Sequence, residues 1–91
     1  MAKFDWDEGN LRRIARHNVS ATEVQDAVMD RFCLLETSEM RQGQLRYNVT
    51  GETTDGRILA IIFEIRRGAI RTVTAFTAPK KETVQLLGKE E

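Results

Sequence analysis

Arg57-Ile-Leu-Ala-Ile-Ile-Phe-Glu-Ile-Arg-Arg-Gly-Ala-Ile-Arg-Thr-Val-Thr-Ala-Phe76 is the stretch that decides the fold. Two apolar, β-branched runs flank Arg67-Gly68, a two-residue turn whose glycine tolerates positive φ. Such a turn sets Arg66 opposite Ala69, Ile65 opposite Ile70, Glu64 opposite Arg71 and Phe63 opposite Thr72. Leu59, Ile61, Phe63, Ile65 and Ile70 then share one face, while Ile58, Ala60, Ile62, Val73 and Ala75 share the other with a Glu64–Arg71 pair. Apolar side chains on both faces predict central strands of a sheet covered on both sides, by helices, a partner or a second copy.

Immediately upstream, Leu45-Arg-Tyr-Asn-Val-Thr50 alternates, and Thr54-Asp-Gly56 makes a turn into the hairpin. A loop of odd length joins Leu45, Tyr47 and Val49 to the Leu59, Ile61, Phe63 face. Arg46, Asn48, Thr50, Glu64 and Arg71 are then left together. This register separates apolar from polar side chains better than the slip by one residue. Phe32-Cys-Leu-Leu-Glu36 reads as another strand, and Thr37 to Gln44 as a polar loop containing Gly43.

Toward the N-terminus, Lys3 to Trp6 is a short extended segment and Asp7 an N-cap, with Trp6 and Leu11 placed as a hydrophobic staple. The helix that follows runs to about His17, with Leu11, Ile14 and Ala15 inward, and Asn18 suits a left-handed C-terminal position. Ser20-Ala-Thr-Glu23 is a capping box opening a second helix to about Asp30, with Val24, Ala27 and Val28 buried. Pro79 starts a last helix, roughly 79–87, ended by Gly88. The order β-α-α-β-β-β-β-α predicts one α+β domain over residues 1–91. Its small antiparallel sheet of about four strands packs with an N-terminal αα-hairpin and a C-terminal helix.

Composition narrows the function. The chain has no signal-peptide pattern and no apolar run of spanning length, so it is expected to be soluble and cytoplasmic, with no membrane association. A net charge of zero gives no global pull on nucleic acid. The distribution is uneven: residues 57–81 hold Arg57, Arg66, Arg67, Arg71, Lys80 and Lys81 against Glu64 alone. Ten of the 14 basic residues are arginines, which suit planar, bidentate phosphate contacts. The alternative is a solvated strand edge and helix start.

One His and one Cys cannot supply a usual metal ligand set, the six glycines form no phosphate loop, and no cofactor is expected. Cys33 fits a core position better than a nucleophile, and His17 fits a helix C-terminus better than a catalytic base. Arg46, Arg57, Glu64, Arg71, Lys80, Lys81 and Glu82 remain. Such residues can bind RNA phosphate and stabilise charge developing in transesterification, with a Glu or Lys moving the proton.

Phe4-Asp-Trp-Asp7 with Asn10, then His17-Asn-Val19, resembles the "WD…N…HGV" opening of the BrnT toxin family. Gly43-Gln-Leu-Arg46, Gly51, Gly56-Arg57 and Ile70-Arg-Thr-Val-Thr-Ala75 are similar to that family's later pattern in order and spacing, and Ala78 and Glu82 to its closing "A…E". The resemblance implies a RelE-like fold and a ribonuclease toxin of a type II toxin–antitoxin pair that inhibits translation by cutting RNA. It also implies neutralisation by a BrnA-like ribbon-helix-helix antitoxin, which alone would contact operator DNA. Matched residue by residue, Arg46, Arg57 and Arg71 become candidate catalytic or RNA-contacting groups. Lys80 and Lys81 are RNA-binding candidates from charge alone.

Four positions depart from the family pattern: Gln44 replaces an acidic residue, Asn18 a glycine, Leu86 a tyrosine, and Phe76 the arginine after the "SA" dipeptide. Phe76 removes a positive charge from the expected functional face. The other reading is therefore a catalytically weakened or inactive toxin fold, retained as a protein-binding or regulatory module.

Overall fold

A computed structural model describes residues 3–79. They form β1 (Lys3–Phe4), α1 (Glu8–Ala15), α2 (Ala21–Met29), β2 (Leu34–Arg41), β3 (Gln44–Glu52), β4 (Ile58–Arg66) and β5 (Ala69–Thr77). All five strands join one sheet in the order β1-β5-β4-β3-β2. The expected antiparallel sheet of about four strands is thus a mixed sheet of five. The short N-terminal segment pairs parallel to β5, Lys3 with Ala69 and Phe4 with Ile70. Two residues are too few to show any alternation, so this pairing left no pattern in the sequence. The expected C-terminal helix lies, beyond Pro79, outside the described residues.

The β4–β5 hairpin keeps the expected register next to its turn: Arg66–Ala69, Ile65–Ile70, Glu64–Arg71 and Phe63–Thr72. Arg67 and Gly68 both have positive φ, 52° and 77°, the geometry that matches the twist of a two-residue hairpin. Farther from the turn the expectation fails. A bulge between Ile62 and Phe63 pairs Ile62 with Thr74 and leaves Val73 as the extra residue. Ala75 therefore sits opposite Ile61, on the face expected to exclude it, and is fully buried.

The β3–β4 ladder adopts the odd-loop register, with Tyr47 opposite Phe63, Val49 opposite Ile61 and Arg46 opposite Glu64. Thr53 closes the loop: its backbone N–H donates to Arg57 O at 2.8 Å, and its hydroxyl accepts from Arg57 N at 3.0 Å. The polar loop expected at 37–44 is instead the outer half of β2 and a second tight turn, Gln42-Gly43, again with two positive φ values, 50° and 77°. Thr37 to Arg41 is exposed and, apart from Met40, polar, because β2 is an edge strand and this half of it has no core to face.

Both helices begin with capping boxes. Asp7 Oδ1 accepts from Asn10 N while Asp7 N donates to Asn10 Oδ1; Ser20 and Glu23 repeat the arrangement. Asn18 (φ 59°) makes the left-handed turn between α1 and α2. Leu11, expected inside, is exposed, and Asn10 is buried in its place. The capping box, with Asn10 Nδ2 donating to Asp5 O at 3.0 Å, turns Asn10 and Ile14 rather than Leu11 toward the sheet.

Ile14, Val19, Val24 and Ala27 pack on Val49, Leu59, Ile61, Phe63 and Ala75 to make the core. Close approach of α2 to β3 depends on Gly51, where an added Cβ would stand 2.0 Å from Ala27 O. No helix among the described residues is long and apolar enough to cross a membrane.

Candidate nucleic-acid interface

Register aligns four charges across three strands. Arg46 of β3 lies opposite Glu64 of β4, which lies opposite Arg71 of β5, and Asp5 follows β1 beside it, its backbone N–H donating to Ile70 O. The expected Glu64–Arg71 ion pair does not form. Glu64 is buried, 4% exposed, and its two carboxylate oxygens take Arg46 Nε at 2.9 Å and Arg66 Nε at 3.1 Å. Arg71 turns the other way, to Asp7 Oδ2 at 2.6 Å and Asp5 Oδ2 at 3.5 Å. These contacts, the Asp7 hydrogen bond first, raise the Arg71 pKa, so it is a permanent cation. The Asp7 carboxyl is lowered, chiefly by the Asn10 backbone N–H and then by Arg71.

These residues border a cleft of about 510 Å³ where the first turn of α1 meets the β4–β5 ladder. Arg13, Arg46, Arg66 and Arg71 bring four guanidiniums to it, against Asp7, Glu8 and Glu64. Thr72 also lines it; the residue is 2% exposed, and its hydroxyl has no hydrogen-bond partner. Guanidinium forks around a polar hollow can hold the non-bridging oxygens of a phosphate diester and oppose the charge that grows on them during transesterification.

Of the three matched arginines, Arg46 and Arg71 share this cleft and Arg57 does not. Arg57 precedes β4, seven residues from Glu64, or about 23 Å along a strand rising about 3.3 Å per residue. Its Nη1 donates to Asn18 O at 2.6 Å and to Glu23 Oε2 at 3.1 Å; its Nη2 reaches His17 O at 3.4 Å and Thr77 Oγ1 at 3.3 Å. Arg57 therefore ties the α1–α2 turn to the end of the hairpin. Glu23 is held below the usual carboxylate range by the Ser20 backbone N–H first and by Arg57 as well. Lys80, Lys81 and Glu82 lie outside the described residues.

The remaining candidates take structural places. Cys33 packs against the core, and burial, with Asp30 nearby, pushes its thiol up to about 11. His17 is exposed, and its ring sits 5.9 Å from that of Phe76. Phe76 thus meets an aromatic neighbour at the arginine position of the family pattern. Reading the sequence missed Asp5, Asp7 and Arg66 as members of the charged cluster. The i, i+2 spacing of Asp5 and Asp7 in an extended segment was the available signal, because it sends both carboxylates to one side.

Residues 6–82 match the family model described as "Ribonuclease toxin, BrnT, of type II toxin-antitoxin system", a span that includes both capped helices and every residue of the cleft. No curated protein matches the sequence. The chain belongs to the BrnT family of ribonuclease toxins from type II toxin–antitoxin systems.

Proposed function

We propose that this protein is a ribonuclease toxin that inhibits translation by cutting RNA in the cytoplasm. In this proposal its fold is RelE-like and a BrnA-like ribbon-helix-helix antitoxin neutralises it. The observation that carries the reading is the convergence of Arg46, Arg66 and Arg71 on one cleft around the buried Glu64. Arg46 and Arg71 contact the scissile phosphate and stabilise the charge that develops on it. Glu64 holds Arg46 and Arg66 in place through its two oxygens. The 2′-hydroxyl of the RNA attacks the adjacent phosphorus while a carboxylate of the cleft takes its proton; the P–O5′ bond breaks to leave a 2′,3′-cyclic phosphate, and the 5′-oxygen takes a proton from that carboxylic acid or from water. Arg57 keeps the helical pair seated on the sheet so that the cleft stays formed, and Lys80 and Lys81 extend the RNA contact.

The second reading, a weakened toxin kept as a binding fold, draws on two observations: Phe76 faces His17 in place of a charge, and Asp5 and Asp7 already occupy Arg71. One experiment separates them. The purified protein and its Arg46→Ala, Arg71→Ala and Phe76→Arg variants are incubated with a short single-stranded RNA. Cleavage by the unaltered protein, slowed about 10²–10³-fold by removal of either arginine from a still folded chain, supports the nuclease. Cleavage only by Phe76→Arg supports the weakened fold.

A further inference from the structure

Beyond the cleft, the same face of the sheet carries a second row of side chains with a different charge pattern. Arg66 of β4 is opposite Ala69 of β5, and Ala69 is opposite Lys3 of β1. The neighbouring row, Arg46–Glu64–Arg71–Asp5, alternates in sign and neutralises itself. The Arg66–Ala69–Lys3 row has cations two strands apart, about 10 Å at about 4.8 Å per strand, with only a methyl group between them. This hollow, about 520 Å³, is bordered by Lys3, Arg66, Arg67 and Arg71, and Asp5 is its one carboxylate. Arg66 and Arg71 border both hollows, so the two are neighbours. Among the described residues neither Lys3 nor Arg67 has an ion pair, and Arg66 engages Glu64 through Nε.

We propose that this hollow is a second phosphate site, which binds the backbone of the RNA strand one or more nucleotides away from the phosphate in the cleft. Two cations over a small side chain, with Lys3 and the adjoining Arg67 unpaired among the described residues, fit the compact, sequence-independent charge of a phosphodiester. Its position beside the cleft, across Arg66 and Arg71, lets one strand reach both. The inference rests on the ribonuclease reading for its ligand, and it makes the preferred substrate longer than a single phosphodiester.

The test uses the full chain and the double variant Lys3→Gln/Arg67→Asn. Asparagine suits the left-handed turn position and so keeps the hairpin. Binding of a fluorescent single-stranded RNA decamer, made uncleavable by 2′-O-methyl groups, is followed by anisotropy between low and moderate salt. Single-strand binding loses about 0.7 of log–log salt slope for each neutralised phosphate contact. The proposal expects the double variant to lower the slope by about 0.7 for the one lost phosphate and to weaken binding several-fold. A dinucleotide with one phosphate should be bound equally by both proteins. An unchanged slope and affinity for the decamer would overturn the site. Binding that changes as expected while the unaltered protein leaves cleavable RNA intact would sink the nuclease reading and leave the phosphate site standing. Equal losses for dinucleotide and decamer would place both cations in the cleft itself and overturn a separate site.

Discussion

Arg71 Nη2 donates to Asp7 Oδ2 at 2.6 Å, joining the N-cap of α1 to a strand 64 residues farther along the chain. Asp7 thus does two things at once. Its Oδ1 closes the first turn of α1 through Asn10 N, and its Oδ2 fixes a guanidinium on the border of the cleft. The helix start and the charged cluster are one structure.

This linkage predicts an acid sensitivity. The Asp7 carboxyl is lowered from an ordinary value of 3.8 by the Asn10 backbone N–H and then by Arg71. A group whose folded pKa is depressed stabilises the native state above its unfolded pKa, and that stability drains away as pH falls through the folded value. Urea midpoints measured from pH 6 to pH 3 should therefore fall below about pH 4. In Asp7→Asn, which retains a capping side chain but cannot titrate, this acid limb should be shallower than in the unaltered protein.

Gly51 sets the distance between α2 and β3. A methyl group at this position would stand only 2.0 Å from Ala27 O, so Gly51→Ala must push the helix away or distort the strand. The expected loss is at or above the upper end of the usual range for overpacking, about 1–3 kcal/mol. Chemical denaturation measures it directly; a change under about 0.5 kcal/mol, within the range of neutral surface substitutions, would contradict the close approach.

Arg57 is tied to Glu23 and to two backbone carbonyls of the helical turn, with its side chain about a quarter exposed. Arg57→Ala should cost about 1.5–3 kcal/mol, the scale of hydrogen bonds to charged groups. Its RNA cleavage per folded molecule should stay near that of the unaltered protein at low temperature. A large loss of cleavage in a chain of unchanged stability would instead put Arg57 in contact with RNA.

Burial and the neighbouring Asp30 push the Cys33 thiol up to about 11, so the reactive thiolate is scarce at neutral pH. Alkylation by iodoacetamide at pH 7.5 should be slow in the native protein and fast in urea, as read by intact mass. A group whose folded pKa is raised supports the native state below its unfolded pKa. Stability should accordingly decline as pH rises above about 9 toward 11, and Cys33→Ser should lose that alkaline slope.

Gln42 and Arg67 each hold a left-handed conformation in a two-residue turn. Such a position costs most side chains about 1–2 kcal/mol and asparagine less. Gln42→Asn should raise the thermal midpoint modestly without altering charge. A fall in the midpoint would mean that the Gln42 side chain supports the hairpin in some other way.

Much of this protein was legible in its amino-acid order. The Asp7 cap, Ser20 with Glu23, Asn18, Arg67-Gly68 and the odd loop around Thr54-Gly56 act over a few residues, and local backbone geometry is enough to place them. The alternation of Leu45 to Thr50 against Leu59 to Phe63 set the register, because a slip by one residue would bury Arg46. Tertiary structure alone decided the rest. The bulge at Val73 moved Ala75 into the core, and the parallel docking of Lys3-Phe4 brought Asp5 and Asp7 to Arg71. Glu64 took Arg46, opposite it on β3, and Arg66 over Arg71, opposite it on β5. Most of these contacts join residues far apart in the chain; the i, i+2 spacing of Asp5 and Asp7 puts two carboxylates on one side but does not say which strand they meet. A charged side chain there selects its partner by distance and burial in the folded sheet.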